Sequence, residues 1–442
     1  MKLFSFKGGI RLSDEKNCIK DKAIVNLSPQ KGDLMTYPLQ YFDDSAMPIV
    51  EIGARVLKGQ KIAEAGSEVS ENIYSAVSGT VAEVKEVILP NGGKSQAIVI
   101  ENDGEDENYQ HATPVNLAAL SKADILRRIS ESTVMGLGGA GLPSHAKLSL
   151  PSENAAIDYV IVNGVECQPM LTSDFRVMVE QPAGITDGLA TILRVFDKAK
   201  GVIAVPSNKA EAIIKLTDAS KDAANIEVAV LKPKYPQGSD RQLIKAITGR
   251  EIPFGGNPAD VGCIVINIET AAEIKCVVLD GEPVTSRNVT LSGDVVKHPG
   301  NYNVRLGTSF EDLIKLAGGL KENPYKILSG GPMTGVALHT LDVPITKSVT
   351  AVLCMSKKTA EFPEESACIR CARCLTHCPS GLMPLNLNKY AVTRNMEMFK
   401  ADGGMNCIEC GSCSYICPAK RHLTQSIQIT RKTVMSQLQE GV

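Results

Sequence analysis

Two stretches near the C-terminus, CIRCARCLTHCP (368–379) and CIECGSCSYICP (407–418), constrain this chain more than anything else in it. Each reads C-x2-C-x2-C-x3-C-P, and each cysteine of the second lies 39 residues after its counterpart. That is the ligand spacing of a pair of 4Fe–4S clusters. Three thiolates on a tight loop cap one face of a cubane, and the fourth of each run goes to the other cluster. The spacing assigns Cys368, Cys371, Cys374 and Cys417 to one cluster, and Cys407, Cys410, Cys413 and Cys378 to the second. Pro379 and Pro418 end the runs and turn the chain away.

The alternatives are structural zinc and disulfides. Zinc uses paired C-x2-C knuckles, without a third cysteine in the same rhythm. A disulfide framework spreads cysteines through a small secreted domain. Here only Cys18, Cys167, Cys263, Cys276 and Cys354 of the 13 lie outside the two runs. The N-terminus lacks the apolar core of an export signal, and no apolar run reaches the ~18 residues of a membrane span. The reading is a soluble, unexported chain that moves single electrons. With a net charge of −2 and both signs interspersed, nothing points to a nucleic-acid partner.

The 442 residues leave room for three or four domains of roughly 100–200 residues each. Early segments such as VLKGQKIAEAG and ILPNGGKSQAIVIE are strand–turn–strand units, and the acidic run ENDGEDEN (101–108) marks a solvated boundary. From about residue 116 helices and strands alternate. Helices fit 184–199, 208–220 and 239–249, and strands fit 201–206 and 226–232, the signature of an α/β layer with a largely parallel sheet. After about 285 come short strands around one helix, SFEDLIKLAGG, and LNKYAVTRNMEMF reads as a helix between the cysteine runs.

Residues 136–141, GLGGAG, satisfy G-x-G-x-x-G. A dinucleotide fingerprint follows a strand and opens a helix. Here a helical segment precedes Gly136, Pro143 follows almost at once, and the next element is the strand DYVIVNG, so the context refuses a Rossmann turn.

In order, GLGGAGLPSHAKL, YVIVNGVECQP, YPQGSDRQL and VINIETAAEI resemble the flavin and nicotinamide segments of the NADH-oxidising flavoprotein subunit of complex I. With the β-rich start, VTLSGDVVKHPGNY and the paired cysteine runs, the whole chain is similar to the RnfC family, the NADH-side subunits of membrane-bound ferredoxin:NAD oxidoreductase (Rnf) complexes. The resemblance implies a multidomain α/β protein. Residues 1–115 would form a β barrel-sandwich hybrid, 116–285 an FMN/NADH-binding domain, 286–355 a small ubiquitin-like SLBB domain, and 356–442 a helical ferredoxin-type domain with both clusters. The expected hairpin tip near SAVSGTV has no lysine for lipoyl or biotin attachment. Spacing and interface are the expected roles of the SLBB unit.

The residue chemistry agrees with a flavin. Gly136, Gly138, Gly139 and Gly141 allow close backbone approach to a ring or phosphate. Lys147 brings positive charge, although on position alone it reads as a surface lysine. Asn163 and Asn267 end strands, where ligand loops gather, and Thr270 follows as a flavin contact or a cap. Tyr235 lines the pocket or packs against it. Gly238, Ser239 and Asp240 open a helix, and Ser239 with Gln242 forms a capping-box pattern. Ser239 and Asp240 stand where the complex I relatives carry two carboxylates, and Gln168 stands where the relatives, RnfC included, usually carry a second glutamate after Glu166; both departures bear on the details of nicotinamide contact and not on the presence of flavin. Cys167 reads as a buried structural thiol.

A nicotinamide exchanges two electrons as hydride and a cluster takes one, so a flavin must convert between them, and the cofactors carry that chemistry. By resemblance the cofactors are noncovalent FMN, NAD(H) and two 4Fe–4S clusters. The partners are the membrane-embedded and ferredoxin-accepting Rnf subunits, and the location is the cytoplasmic face of the membrane, held peripherally. Two further readings stay open: a soluble RnfC-like flavin/iron–sulfur reductase, such as a cobalamin reductase, and a cluster relay without nicotinamide binding.

Overall fold

The computed structural model describes residues 3–13, 16, 19–40, 44–67, 70–110, 113–138, 143–149, 156–196 and 198–439. Between residues 34 and 102, alternating strands fold into two antiparallel sheets. One has the order Leu34–Pro38, Lys94–Asn102, Gly79–Ile88, Arg55–Val56, and the other Met47–Pro48, Lys61–Glu64, Ile73–Tyr74. Met35, Val56, Ile62, Ile98 and Ile100 fill the space between them. The SAVSGTV stretch is not an exposed tip. Its Ala76 N–H donates to the Tyr37 hydroxyl at 2.8 Å, and Arg305 donates to the Ala76 carbonyl at 3.2 Å, so residues 75–78 are buried.

The central sheet is wholly parallel, in the order Ile226–Leu231, Lys200–Pro206, Tyr159–Asn163, Cys263–Asn267. Its strands are near-continuous apolar runs because helices cover both faces. Tyr159–Asn163 and Cys263–Asn267 pair with Asn163 opposite Asn267, which sets two carboxamides side by side at the carboxyl ends of the strands. Ligands of open parallel sheets sit at that edge. The expected helices appear at Pro182–Leu193, Ala210–Ala219 and Asp240–Thr248, joined by Ser173–Glu180 and Ile268–Lys275.

A six-stranded sheet follows, in the order Ile24–Leu27, Gly300–Arg305, Ser286–Ser292, Ala351–Met355, Lys326–Ser329, Val336–Leu338. Its first strand comes from the N-terminal region and runs parallel to Gly300–Arg305, covering what would otherwise be an open edge. Phe4 and Ile10 likewise bridge to Leu231 and Tyr235. The first 115 residues therefore contribute to three units in space, not one.

In the C-terminal region Leu382, Leu387, Phe399 and Ile427 form a small core. The helix expected over 387–399 is two helices, Pro384–Val392 and Met396–Ala401. Arg394 takes a left-handed φ of 54°, and Asn395 caps the second helix by accepting the Met398 N–H at 3.0 Å. The two cysteine runs duplicate each other in backbone as well as in sequence. Arg370 and Glu409 both have φ of 54°, and Ala372 and Gly411 have φ of 59° and 78°. In each run an N–H, from Arg370 or Glu409, points at a cysteine sulfur 3.4 Å away.

Candidate functional site

A cavity of about 610 Å³ opens at the carboxyl edge of the parallel sheet. Its walls bring together Gly136, Gly138, Lys147, Asn163, Glu166, Gln168, Tyr235, Gly238, Ser239, Asp240 and Asn267, contributed by four separate segments of the chain. Gly139 and Gly141 lie outside the described residues. Thr270 does not line the cavity. It is buried one layer behind, where its Oγ accepts the Leu137 N–H at 2.9 Å and so holds the glycine loop in place.

The close packing explains the glycines. A Cβ on Gly138 would come within 3.2 Å of the Asn267 side chain, and one on Gly238 within 3.3 Å of Val165. Asn267 is held twice: its Oδ1 accepts the Glu269 N–H at 2.8 Å, and its Nδ2 donates to Asp174 at 3.0 Å. The Asn163 amide donates to the Gly238 carbonyl at 2.8 Å. Both carboxamides thus tie loops to the sheet edge.

Glu166 lines the cavity with its carboxylate already committed. Oε1 accepts the amides of Asp174 and Phe175 at 2.8 and 3.4 Å, capping the helix Ser173–Glu180, whose own Thr172 makes no side-chain cap. Oε2 pairs with Lys209 at 2.7 Å, and both side chains are under 8% exposed. Gln168 is also engaged, donating to Thr334 Oγ at 2.7 Å and accepting the Met333 N–H at 3.1 Å. The capping box read from Ser239 and Gln242 does not form. Ser239 makes no side-chain cap, and Gln242 reaches across to the Pro379 carbonyl at 3.3 Å, at the end of the first cysteine run.

Asp174 also belongs to the site, and no motif in the sequence marks it. An aspartate in a first helical turn reads as ordinary charge complementarity. Here it lines the cavity, and burial, reinforced by Glu166 and Glu269, pushes its carboxyl up to about 7. Asp240 is also raised by burial, opposed by the charge of Lys147 across the cavity.

The cavity is walled on one side by Ile408 and Cys410 of the second cysteine run. The Tyr235 hydroxyl donates to the Cys410 carbonyl at 2.6 Å. Through Glu166, Cys167, Gln168 and Tyr235 the cavity shares a wall with a second hollow of about 370 Å³, which Arg11, Lys16, Lys209 and Lys234 make basic.

The eight cysteines of the two runs gather in two quartets. Cys378, Cys407, Cys410 and Cys413 ring one small hollow, and Cys368, Cys371, Cys374 and Cys417 ring another. The first quartet is half-buried, whereas Cys368 and Cys371 are exposed. Among the described residues no group of three or more His, Cys, Asp or Glu side chains is placed to hold a single metal ion. A hollow ringed by four thiols fits a cubane. Among the described residues no helix is long and apolar enough to cross a membrane.

Four family models match in chain order. They are the RnfC barrel sandwich hybrid domain over residues 4–105, the Nuo51 FMN-binding domain over 129–276, the SLBB domain over 288–337 and the 4Fe-4S dicluster domain over 362–418. The chain is 40% identical over 387 residues to a subunit of the proton-translocating ferredoxin:NAD(+) oxidoreductase complex of Clostridium ljungdahlii, covering 87% of this chain and 84% of that one. It is 37% identical to the corresponding subunit of the Na(+)-translocating ferredoxin:NAD(+) oxidoreductase complex of Acetobacterium woodii, over 99% of this chain and 98% of the relative. The matching subunit of the ion-translocating oxidoreductase complex of Rhodobacter capsulatus is 36% identical, over 97% and 83%. Among solved structures, an NAD+-reducing [NiFe]-hydrogenase in the H2-reduced state shares the fold at a TM-score of 0.50 and 16% identity. The match covers 73% of this chain and 62% of the hydrogenase chain.

Proposed function

The chain belongs to the RnfC family of ion-translocating ferredoxin:NAD(+) oxidoreductase complex subunits, and from that premise we propose that it is the electron-transfer subunit that meets NAD(H). FMN bound in the 610 Å³ cavity would supply the interchange between hydride from a nicotinamide and single electrons for the two 4Fe–4S clusters. The observation that carries this reading is the shared wall: the flavin-type cavity ends on Cys410, a ligand of one cluster quartet.

The chain's own residues bind and orient. Gly136 and Gly138 give backbone N–H groups close access to the ligand, and Lys147 supplies charge for its phosphate. Asn163 and Asn267 hold the loops that frame it. The Gln168 amide, already paired with Thr334 and Met333, offers hydrogen bonds but no charge to a nicotinamide. The basic hollow beside Tyr235 offers charge for the phosphates of a dinucleotide. Cys378, Cys407, Cys410 and Cys413 hold the cluster next to the cavity, and Cys368, Cys371, Cys374 and Cys417 hold the outer one, whose exposed edge faces the partner proteins. The protein sits peripherally on the cytoplasmic face of the membrane. Relatives that align over nearly the whole chain and belong to such complexes support this reading over a soluble reductase or a relay without nicotinamide.

The test is an anaerobic NADH titration of reconstituted protein, with iron and flavin quantified on the same sample. Bleaching of flavin absorbance, with two clusters' worth of iron present, is the expected result. A flavin spectrum unmoved by NADH removes the claim that this chain by itself reacts with the nicotinamide.

A further inference from the structure

Four charged side chains outside the cavity form one buried chain. Glu71, from the barrel-sandwich region, pairs with Lys347 at 2.7 Å. Lys347 Nζ also donates to the Thr133 carbonyl at 3.0 Å, and its own carbonyl accepts from Arg287 Nη1. Arg287 Nη2 donates to Glu269 Oε2 and to the Leu137 carbonyl, both at 2.9 Å. Glu269 Oε1 accepts the Asn288 N–H at 2.8 Å. Arg287 and Glu269 are each 1% exposed.

A buried ion pair offers little net stability over an apolar pair of the same volume, because desolvating both charges offsets their attraction. The arrangement around Arg287 gives geometry instead. Leu137 is the residue between Gly136 and Gly138, the two described glycines of the cavity loop. Its N–H is held by Thr270 and its carbonyl by Arg287, so both polar groups of that residue are clamped from behind the loop. The guanidinium fork satisfies Leu137, Glu269 and Lys347 at once, which an ammonium cannot do in the same plane. Arg287 lies on the strand Ser286–Ser292 of the six-stranded sheet, outside the α/β unit that carries the cavity.

We infer that Arg287 is a positioning residue for the cofactor: the SLBB region holds the glycine loop in its binding geometry through the Leu137 carbonyl, and Glu269 and Lys347 aim the guanidinium. This rests on the reading that FMN occupies the cavity. The SLBB region is then part of the flavin site and not a spacer beside it.

The experiment titrates FMN into deflavinated full-length protein with its clusters intact, following the quenching of FMN fluorescence. Variants Arg287→Lys, Thr270→Val and the double variant are compared with wild type, alongside iron content and melting temperature. A hydrogen bond involving a charged group contributes about 1.5–3 kcal/mol, so Arg287→Lys should weaken FMN binding about ten- to a hundredfold while iron stays at the wild-type level. Both substitutions loosen the same residue, so the double variant should fall short of the product of the single effects. Wild-type affinity in folded Arg287→Lys protein, or single effects that multiply independently, overturns the inference. If Arg287→Lys does not fold, Glu269→Gln carries the same test: it keeps the shape and replaces the charged partner of the guanidinium with a neutral amide that has one acceptor instead of two, and unchanged FMN affinity again overturns the inference. Wild-type protein that binds no FMN at all would instead remove the earlier reading of the cavity.

Discussion

At the scale of single residues, the two cysteine runs set up a comparison inside one molecule. Equivalent positions take the same left-handed backbone, but one run has Ala372 where the other has Gly411. An L-residue with a Cβ costs about 1 kcal/mol or more in that region. Ala372→Gly should therefore raise stability by up to about 1 kcal/mol and slow the loss of iron from the outer cluster to a chelator. An unchanged rate would mean the loop already absorbs the strain. Asp174 gives a pH prediction. Its carboxyl, lifted to about 7 by burial and by Glu166 and Glu269, and partly relieved by Lys209 and the Asn267 amide, holds its proton in the folded state where the unfolded chain has lost it. Between the ordinary aspartate value and about 7 the native state binds the extra proton, so this residue's contribution to stability falls as pH rises through that window. Asp174→Asn removes the dependence. The variant should gain on wild type as pH climbs from 4 to 7, by an amount on the order of a few kcal/mol, read from urea unfolding at each pH. Parallel curves for the two proteins would place the proton elsewhere.

At the scale of elements, one close helix contact supports the segment that frames the cavity. The helices Pro182–Leu193 and Ile268–Lys275 approach so closely at Gly188 that a Cβ there would lie 1.7 Å from the Ala271 carbonyl oxygen. Gly188→Ala must force them apart, and the second helix carries Glu269 and Thr270, the supports of the glycine loop. Overpacking of this kind costs about 1–3 kcal/mol, so the variant should melt lower and be purified with less flavin. Full flavin content at a lowered melting temperature would uncouple the helix pair from the site. The main elements were legible in the sequence, because period-2 and period-3.6 patterns and glycine punctuation are local signals. The helix Ser173–Glu180 was not, since its cap is a glutamate seven residues upstream that only the fold brings to it. The strand Ile24–Leu27 gives no clue that its partner lies nearly 280 residues away. Likewise the cavity residues that sit on motifs, such as Gly138 and Asn267, could be read, whereas Arg287 could not. Its parity with Val289 and Leu291 in SRNVTLS puts it on the apolar face of its strand, but which carbonyls and carboxylate it meets there is decided only when three units pack together.

At the scale of the whole molecule, the parts fall in an order that the sequence left open. Ile408 and Cys410 form a wall of the flavin-type cavity, whereas the hollow ringed by Cys368, Cys371, Cys374 and Cys417 touches none of its lining residues. Tyr235 and Gln242, on the cavity loop and the helix that follows it, donate to the Cys410 and Pro379 carbonyls and so dock the inner cysteine quartet against the α/β unit. Exposed Ile369, with exposed Cys368 and Cys371, leaves the outer cluster open on its far side. On the proposed function, electrons would pass in the order cavity, inner cluster, outer cluster, partner. Removing a station has different consequences depending on its place. Cys371→Ala should cost one cluster's worth of iron, yet the remaining inner cluster should still be reduced by NADH at a rate close to that of wild type. Cys410→Ala should cost the same iron, but the surviving outer cluster should be reduced far more slowly, because the gap from the cavity is no longer bridged. Rapid-freeze paramagnetic resonance after mixing with NADH distinguishes the two. If the outer cluster is reduced as fast in Cys410→Ala as in the unaltered protein, the clusters are not in series, and the wall shared by the cavity and Cys410 has a structural role only.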